Sequence, residues 1–439
     1  MARKHLTVEE RHKIKQSLID TRNRRKQQQI KVVELKVNCH QTKSDIFKKF
    51  NELFKQAKWV RNDMIALSEN TETNSIFKYE YLEHKTIQHF DKDKNIIEET
   101  ITLPVYLHRA TINQIKQDII NLSKAKKKGL KVGKLQFKSE CNCIPILTGG
   151  VKILDNSHIT IPGFKKLKVY GLHQIFKYNS FELADAKLIR KASGIYIHVT
   201  VCINKENLNR QKTYKEVGLD FGIKDNITTS DGEKFNCSVQ ESEYLKFLQK
   251  QLHRKIKDSK RYYRLRNQIQ KEYEHICNKK TDASNKLIHY LITNYDTIYF
   301  QDEQISKWKK KSKKTGKKFG NSFGRQIQAS YLGRIKEKLI SLEKSGKTYK
   351  IDKFQPTTKF CPNCACLNNI GLERTYKCDC GYIADRDIHA ARNVKLFGST
   401  KRAECLEQTS VETLTSTIMF STRINSKLSR RNENENSTL

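Results

Sequence analysis

The stretch CPNCACLNNIGLERTYKCDCGYIADRDIHAARN, residues 361–393, decides how this chain is read. Cys361-x2-Cys364 forms one knuckle, and Cys378-x-Cys380 followed by Gly381 forms another. Four thiolates in this arrangement fit one closed, tetrahedral structural zinc. The second knuckle is one residue shorter than usual, which leaves Cys366 as a rival ligand. Ala390, Ala391 and Val394 then predict a helix starting near Asp387. Asp385 can cap that helix and leave Asp387 free to bind a metal. His389 reads as a neighbour rather than a ligand.

Two further acids lie at predicted strand ends. Asp220 stands in VGLDFG (217–222), where Gly222 lets the backbone turn and leaves the carboxylate at the sheet edge. Glu303 stands in IYFQDEQI (298–305). Alternation puts Gln301 and Glu303 on one face and Asp302 on the other, so Asp302 competes as a ligand. Singly, each acid has a plain reading as turn residue, loop acid or cap. Together, Asp220, Glu303 and Asp387 can hold two divalent cations. Hard carboxylate oxygens suit Mg²⁺. Such a metal pair cuts phosphodiester bonds by in-line attack.

Charge names the partner. The chain has 85 Lys and Arg against 47 Asp and Glu in 439 residues, a formal charge of +38. That points to a polyanion. KWKKKSKKTGKK (307–318) follows Glu303 directly. Its Lys309, Lys310, Lys311, Lys313 and Lys314 are expected to grip phosphates rather than float in solvent. No apolar run approaches the roughly 20 residues of a spanning helix, and MARKHLTVEERHK has no secretory core. Five cysteines within Cys361–Cys380 suggest metal binding in a reducing compartment rather than a disulfide scaffold.

The length calls for several domains. Residues 1–30 read as a basic arm, solvated or lying on phosphates. A strand follows in 31–40. Residues 41–130 read as helical and 131–212 as β-rich. Strands alternate with helices from 213 to 360, arguing for an α/β domain. The zinc ribbon occupies 361–381, and 382–398 returns to the α/β domain. Residues 399–439, rich in Ser, Thr, Asn and Glu, are expected to be disordered.

VGLDFG, the acid after TIYF and CPNC…CDCGYIADRDIHAARN, in that order, resemble TnpB proteins. These are transposon-encoded, RNA-guided nucleases related to type V CRISPR effectors and Fanzor proteins. The strong motifs cover about residues 215–398. The resemblance implies a multidomain α/β protein: a RuvC-like, RNase H-type nuclease domain with an inserted zinc ribbon, a β-rich wedge domain (131–212 with the strand in 31–40) and a helical recognition lobe (41–130). It implies that Asp220, Glu303 and Asp387 bind two catalytic Mg²⁺, beside one structural Zn²⁺. It also implies a guide RNA and a target DNA as partners, in the cytoplasm of a prokaryote with the nucleoid. Departures are Gln-Asp-Glu where the family has Glu-Asp-Leu, His389 where Asn is common, and the short second knuckle. A nuclease-inactive, RNA-guided DNA-binding protein and a transposase with an acidic triad are the alternatives.

Overall fold

The computed structural model describes residues 7–38, 45–69, 77, 79, 86–90, 96–204, 213–309, 323–343, 345–371 and 373–407. The chain divides into two compact units, Met1–Arg210 and Gln211–Leu439.

The first unit opens with helix α1 (Val8–Lys26), started by a capping box between Thr7 and Glu10. None of its residues is buried. Arg24 and Arg25 tether its end to Glu182 at 3.0 and 3.3 Å. Strand β1 (Gln28–Val37), helix α2 (Asp45–Glu69), the hairpin β2 (Thr86–Phe90) and β3 (Ile96–Thr100), and helix α3 (Val105–Lys127) follow. Then come β4 (Cys143–Ile146), β5 (Lys152–Ile153), β6 (His158–Ile161), β7 (Phe164–Tyr170), a single turn α4 (His173–Phe176), β8 (Glu182–Lys191) and β9 (Gly194–Asn204). Seven of these strands form one sheet, ordered β4-β8-β9-β1-β7-β6-β5. The strand near the start of the chain thus pairs antiparallel with β9, the last strand of the unit. Val33, Leu35 and Val37 alternate inward from β1 to meet Phe50, Phe54 and Ala57 of α2 in one core.

The second unit holds β10 (Glu216–Phe221), β11 (Ile227–Thr229), β12 (Lys234–Phe235), α5 (Glu243–His253) and α6 (Lys260–Asn294). It continues with β13 (Thr297–Gln301), α7 (Gly324–Ser330), α8 (Leu332–Glu343), β14 (Thr348–Ile351), the ribbon strands β15 (Thr375–Lys377) and β16 (Ile383–Asp385), and α9 (Arg386–Glu407). The five-stranded sheet runs β12-β11-β10-β13-β14. β10, β13 and β14 are parallel neighbours, and β11 turns back antiparallel on β10. β13 is buried along its whole length, as a central parallel strand covered on both faces should be.

α9 lies very close to this sheet, and two glycines permit it. A Cβ on Gly218 would stand 2.1 Å from the Ala391 carbonyl oxygen. A Cβ on Gly398 would stand 2.3 Å from the Tyr299 ring. The helix runs to Glu407, nine residues into the stretch expected to lack structure. Phe397 is buried, and Arg402 bonds Thr297 at 3.1 Å and Glu216 besides. Those contacts outweigh the polar composition that suggested disorder. Residues 408–439 lie outside the described residues.

Candidate metal centres

Parallel pairing sets Leu219 beside Phe300, so β10 and β13 end at the same edge of the sheet. Asp220 is the penultimate residue of β10. β13 stops at Gln301, and Glu303 sits in the loop two residues beyond. α9 begins at Arg386 on that edge, with Asp387 in its first turn. Asp385 caps the helix, its Oδ1 accepting from the backbone N–H of Asp387 at 3.0 Å and of Ile388 at 3.1 Å. The Asp387 carboxylate is therefore not spent on the cap.

Asp220 feels the other two acids. Burial pushes the Asp220 carboxyl up to about 8, and the negative charges of Asp387 and then Glu303 add to that, against the pull of Arg386. Burial also raises Glu303. Asp302 behaves oppositely. Its bond to Lys336 holds its carboxyl below the usual range, and Lys350 stands 3.5 Å away. Lys336 also donates to the Glu303 carbonyl oxygen at 2.7 Å, fixing the loop. Asp302 is ion-paired with lysine, whereas Glu303 adds negative charge at Asp220. These are hard oxygen donors of the kind Mg²⁺ takes, their charge offset in part by Arg386 at Asp220, Lys336 at Glu303 and Arg374 at Asp387.

Beside it stands the ribbon. The sulfurs of Cys361, Cys364, Cys378 and Cys380 all lie within 4.8 Å of one another. Cys361 to Cys380 is 3.6 Å and Cys364 to Cys378 is 3.5 Å. A tetrahedral zinc with bonds of about 2.3 Å sets its sulfurs about 3.8 Å apart, so the cluster fits that ion. Each knuckle turns through a left-handed residue, Ala365 at φ 58° and Gly381 at φ 87°. Cys366 is exposed, and its Sγ points to the Cys364 carbonyl oxygen at 3.8 Å, outside the four-sulfur group. The short C-x-C knuckle supplies both its sulfurs.

Several positioning residues escaped the sequence reading. Gln301 is buried and its amide donates to the carbonyl oxygens of Asp352, Lys353 and Gln355 at 2.9–3.2 Å. Asn393 donates to Thr357 and Phe360 carbonyl oxygens, each at 2.7 Å. Between them they tie the loop before the ribbon to β13 and α9. His389 is fully buried, stacked on Tyr376 with centroids 3.7 Å apart, and bonded to Asn393 at 3.1 Å. It serves the packing. Nothing local in the sequence marks the Gln301 and Asn393 bonds to the carbonyl oxygens, because each joins residues distant in the chain or on opposite sides of the ribbon.

The side chain of Lys309 and all of Lys310, Lys311, Lys313 and Lys314 lie outside the described residues. A cleft of about 1290 Å³ lies between α5–α6 and α7–α8 and is lined by none of the three acids. Its charges largely pair off, Glu243 with Lys246 and Arg334 with Glu337. Among the described residues no helix is long and apolar enough to cross a membrane.

The second unit is thus a mixed α/β body that carries a four-thiol knuckle pair beside a cluster of carboxylates. Residues 198–326 match the family model OrfB_IS605, described as "Probable transposase", and residues 335–394 match the Cas12f1-like TNB domain. The chain is 25% identical over 196 residues to a "Putative RNA-guided DNA endonuclease" of Streptomyces pristinaespiralis, covering 42% of this chain and 46% of that protein. It is 27% identical over 210 residues to TnpB-like protein L79 of Acanthamoeba polyphaga mimivirus, covering 44% and 39%. The chain therefore matches less than half the length of either relative. A Cas12f1–sgRNA–target DNA complex is similar at 15% identity over 84% of this chain and 99% of that one, with a TM-score of 0.24, too slight to build on. By these matches the chain is similar, over part of its length, to TnpB-like proteins and to a protein named as an RNA-guided DNA endonuclease.

Proposed function

We propose that the protein is an RNA-guided DNA endonuclease of a transposable element, cutting its target at the carboxylate cluster. The observation that carries this reading is the placement of Asp220, Glu303 and Asp387 by β10, β13 and α9 at one sheet edge, where the charges of the other two add to the burial that raises Asp220. The arrangement of β10, β11, β13 and β14 supports a RuvC-like, RNase H-type domain. The unit with the seven-stranded sheet and helices α2 and α3 would supply the wedge and the recognition lobe.

Asp220, Glu303 and Asp387 would hold two Mg²⁺. When bound, the pair would make a water acidic enough to give up a proton and serve as hydroxide nucleophile, and would supply positive charge for the leaving 3′ oxygen. The chain's own part is to hold the carboxylates in place. The capped start of α9 orients Asp387, and Lys336 holds the Glu303 loop while keeping Asp302 occupied. The four-thiolate zinc would brace the loop that Gln301 and Asn393 knot. The lysines of 307–318 would contact phosphates without reading sequence. The net charge of +38 supports both a guide RNA and a target DNA. Base pairing would then carry specificity.

Sequencing RNA that copurifies with the protein identifies the guide, and a matching duplex tests cutting in Mg²⁺. Cutting that Asp220→Ala abolishes supports the reading. Guide-directed binding without cutting would leave a nuclease-inactive binder, and joining of DNA ends would leave a transposase.

A further inference from the structure

Between Lys250 and Lys271 stand nine Lys and Arg and a single acid, Asp258. This segment forms the end of an antiparallel helix pair, α5 and α6, joined at Arg254–Ser259. All nine cations are exposed. Leu245 and Leu248 pack against Leu265, Ile269 and Ile276 in a core of the pair's own. The charges therefore ride on a rigid element.

Helical geometry sorts them. At about 100° per residue, Lys260, Arg264 and Lys271 fall within about 40° of one another. They lie about 140° round the helix from Leu265, Ile269 and Ile276. These three cations form a stripe that faces away from the core. They make no ion pair among the described residues. Charges on a soluble helix usually alternate in sign or pair at i,i+4, as Asp282 and Lys286 do further along this one. Here they repel one another along one line.

The position of the stripe follows from the chain. α6 ends at Asn294 and β13 begins at Thr297, so the chain reverses at the edge opposite the carboxylates. Leu287, Ile288 and Leu291 pack into the sheet's core. Lys280 bonds the Gln328 carbonyl oxygen, and Cys277 meets Tyr331, just before α8 descends toward β14. Tyr331 precedes α8, whose Lys336 holds the Glu303 loop, so the part of α6 before Cys277 runs out on the side of the sheet that bears the carboxylates. At 1.5 Å per residue, Lys271 stands about 14 Å and Lys260 about 30 Å beyond Lys280.

We infer that the outward stripe Lys260–Arg264–Lys271 grips the phosphate backbone of duplex DNA flanking the cut. The inference rests on the proposed nuclease reading. The stripe itself spans about 16 Å, the length of about five base pairs at about 3.4 Å each. DNA is the partner committed to because the stripe extends the carboxylate edge, where the strand to be cut must lie.

The test replaces all three by glutamine, which keeps the helix. Binding of a 30-base-pair duplex of unrelated sequence and of a 30-nucleotide RNA is measured across a salt series. Three lost phosphate contacts should flatten the DNA slope of log affinity against log salt by about 2–3, and should weaken DNA binding at least tenfold near 0.1 M salt. The RNA slope should stay as in wild type. An unchanged DNA slope, or an equal or larger fall on RNA, overturns the inference. Cleavage of a guide-matched duplex by the wild type is scored separately. Its failure sinks the nuclease reading while the salt slopes still report on the surface.

Discussion

Arg374, carried by the ribbon, points its guanidinium at Asp387 of α9, with Nη1 3.5 Å from Oδ2. The Arg374 carbonyl oxygen accepts from the Arg386 backbone N–H at 2.8 Å, which fastens the entry to β15 to the helix start. The ribbon thereby brings a cation to the carboxylate cluster. Arg374 is largely exposed, so the pair is weak on its own account. Its consequence lies in competition. Arg374→Gln should leave zinc content unchanged and tighten Mn²⁺ binding about two- to fivefold, since a rival cation is gone. Titration of the metal-stripped site by electron paramagnetic resonance measures this. Weaker Mn²⁺ binding would show that Arg374 helps to build the site.

Glu303 and Asp302 should separate cleanly. Glu303→Ala is expected to lower Mg²⁺-dependent cutting at least a hundredfold with little change in melting temperature. Asp302→Ala should retain cutting and lose about 1 kcal/mol of stability, because Lys336 loses its partner. Parallel cleavage assays and thermal melts decide it. The reverse pattern would reassign the second acid to Asp302.

Asp220 makes the metal-free fold sensitive to alkali. Its carboxyl is raised from an ordinary value near 3.8 to about 8, so the fold favours the protonated form. That contribution is complete below about pH 4 and is lost as pH rises through 8. Asp220→Asn does not titrate. In chelator it should match wild type near pH 4 and exceed it by about 1–3 kcal/mol at pH 9. Denaturant melts at several pH values test this, and a constant difference would contradict it.

Zinc should be present at about one ion per chain. Cys361→Ser should lower zinc content and melting temperature together, since metal binding and folding of the knuckles are coupled. Cys366→Ser should keep both. Loss of zinc from the Cys366 variant would restore that thiol as a ligand.

Gly218→Ala should cost at least about 2–3 kcal/mol, because a methyl 2.1 Å from the Ala391 carbonyl oxygen must push α9 off the sheet. The same variant should lower Mg²⁺-dependent cutting, since Asp387 rides on that helix. Chemical denaturation and cleavage of one preparation provide both readouts.

The readable parts of this molecule were the local ones. Cysteine spacing marked the ribbon, and the strand-like segments ending near Asp220 and Glu303 marked the sheet edge. The different settings of Asp302 and Glu303 were not readable, because Lys336, which bonds the Asp302 carboxylate, lies 34 residues away in the chain. The length of α9 was hidden for the same reason. Arg402 reaches Glu216 across 186 residues, and Gly398 declares its purpose only against Tyr299. The basic run at 250–271 was visible as composition, but only the helix pair lines up Lys260, Arg264 and Lys271.

α9 follows the ribbon in the chain, yet it covers strands made long before. A ribosome has therefore delivered β10 and β13 well ahead of the helix that seals them. A polypeptide released within the ribbon would hold Asp220 and Glu303 but neither Asp387 nor the cover over Gly218. On the proposed reading, an unfinished chain could not damage the DNA around it. Cutting competence would be among the last properties that translation confers.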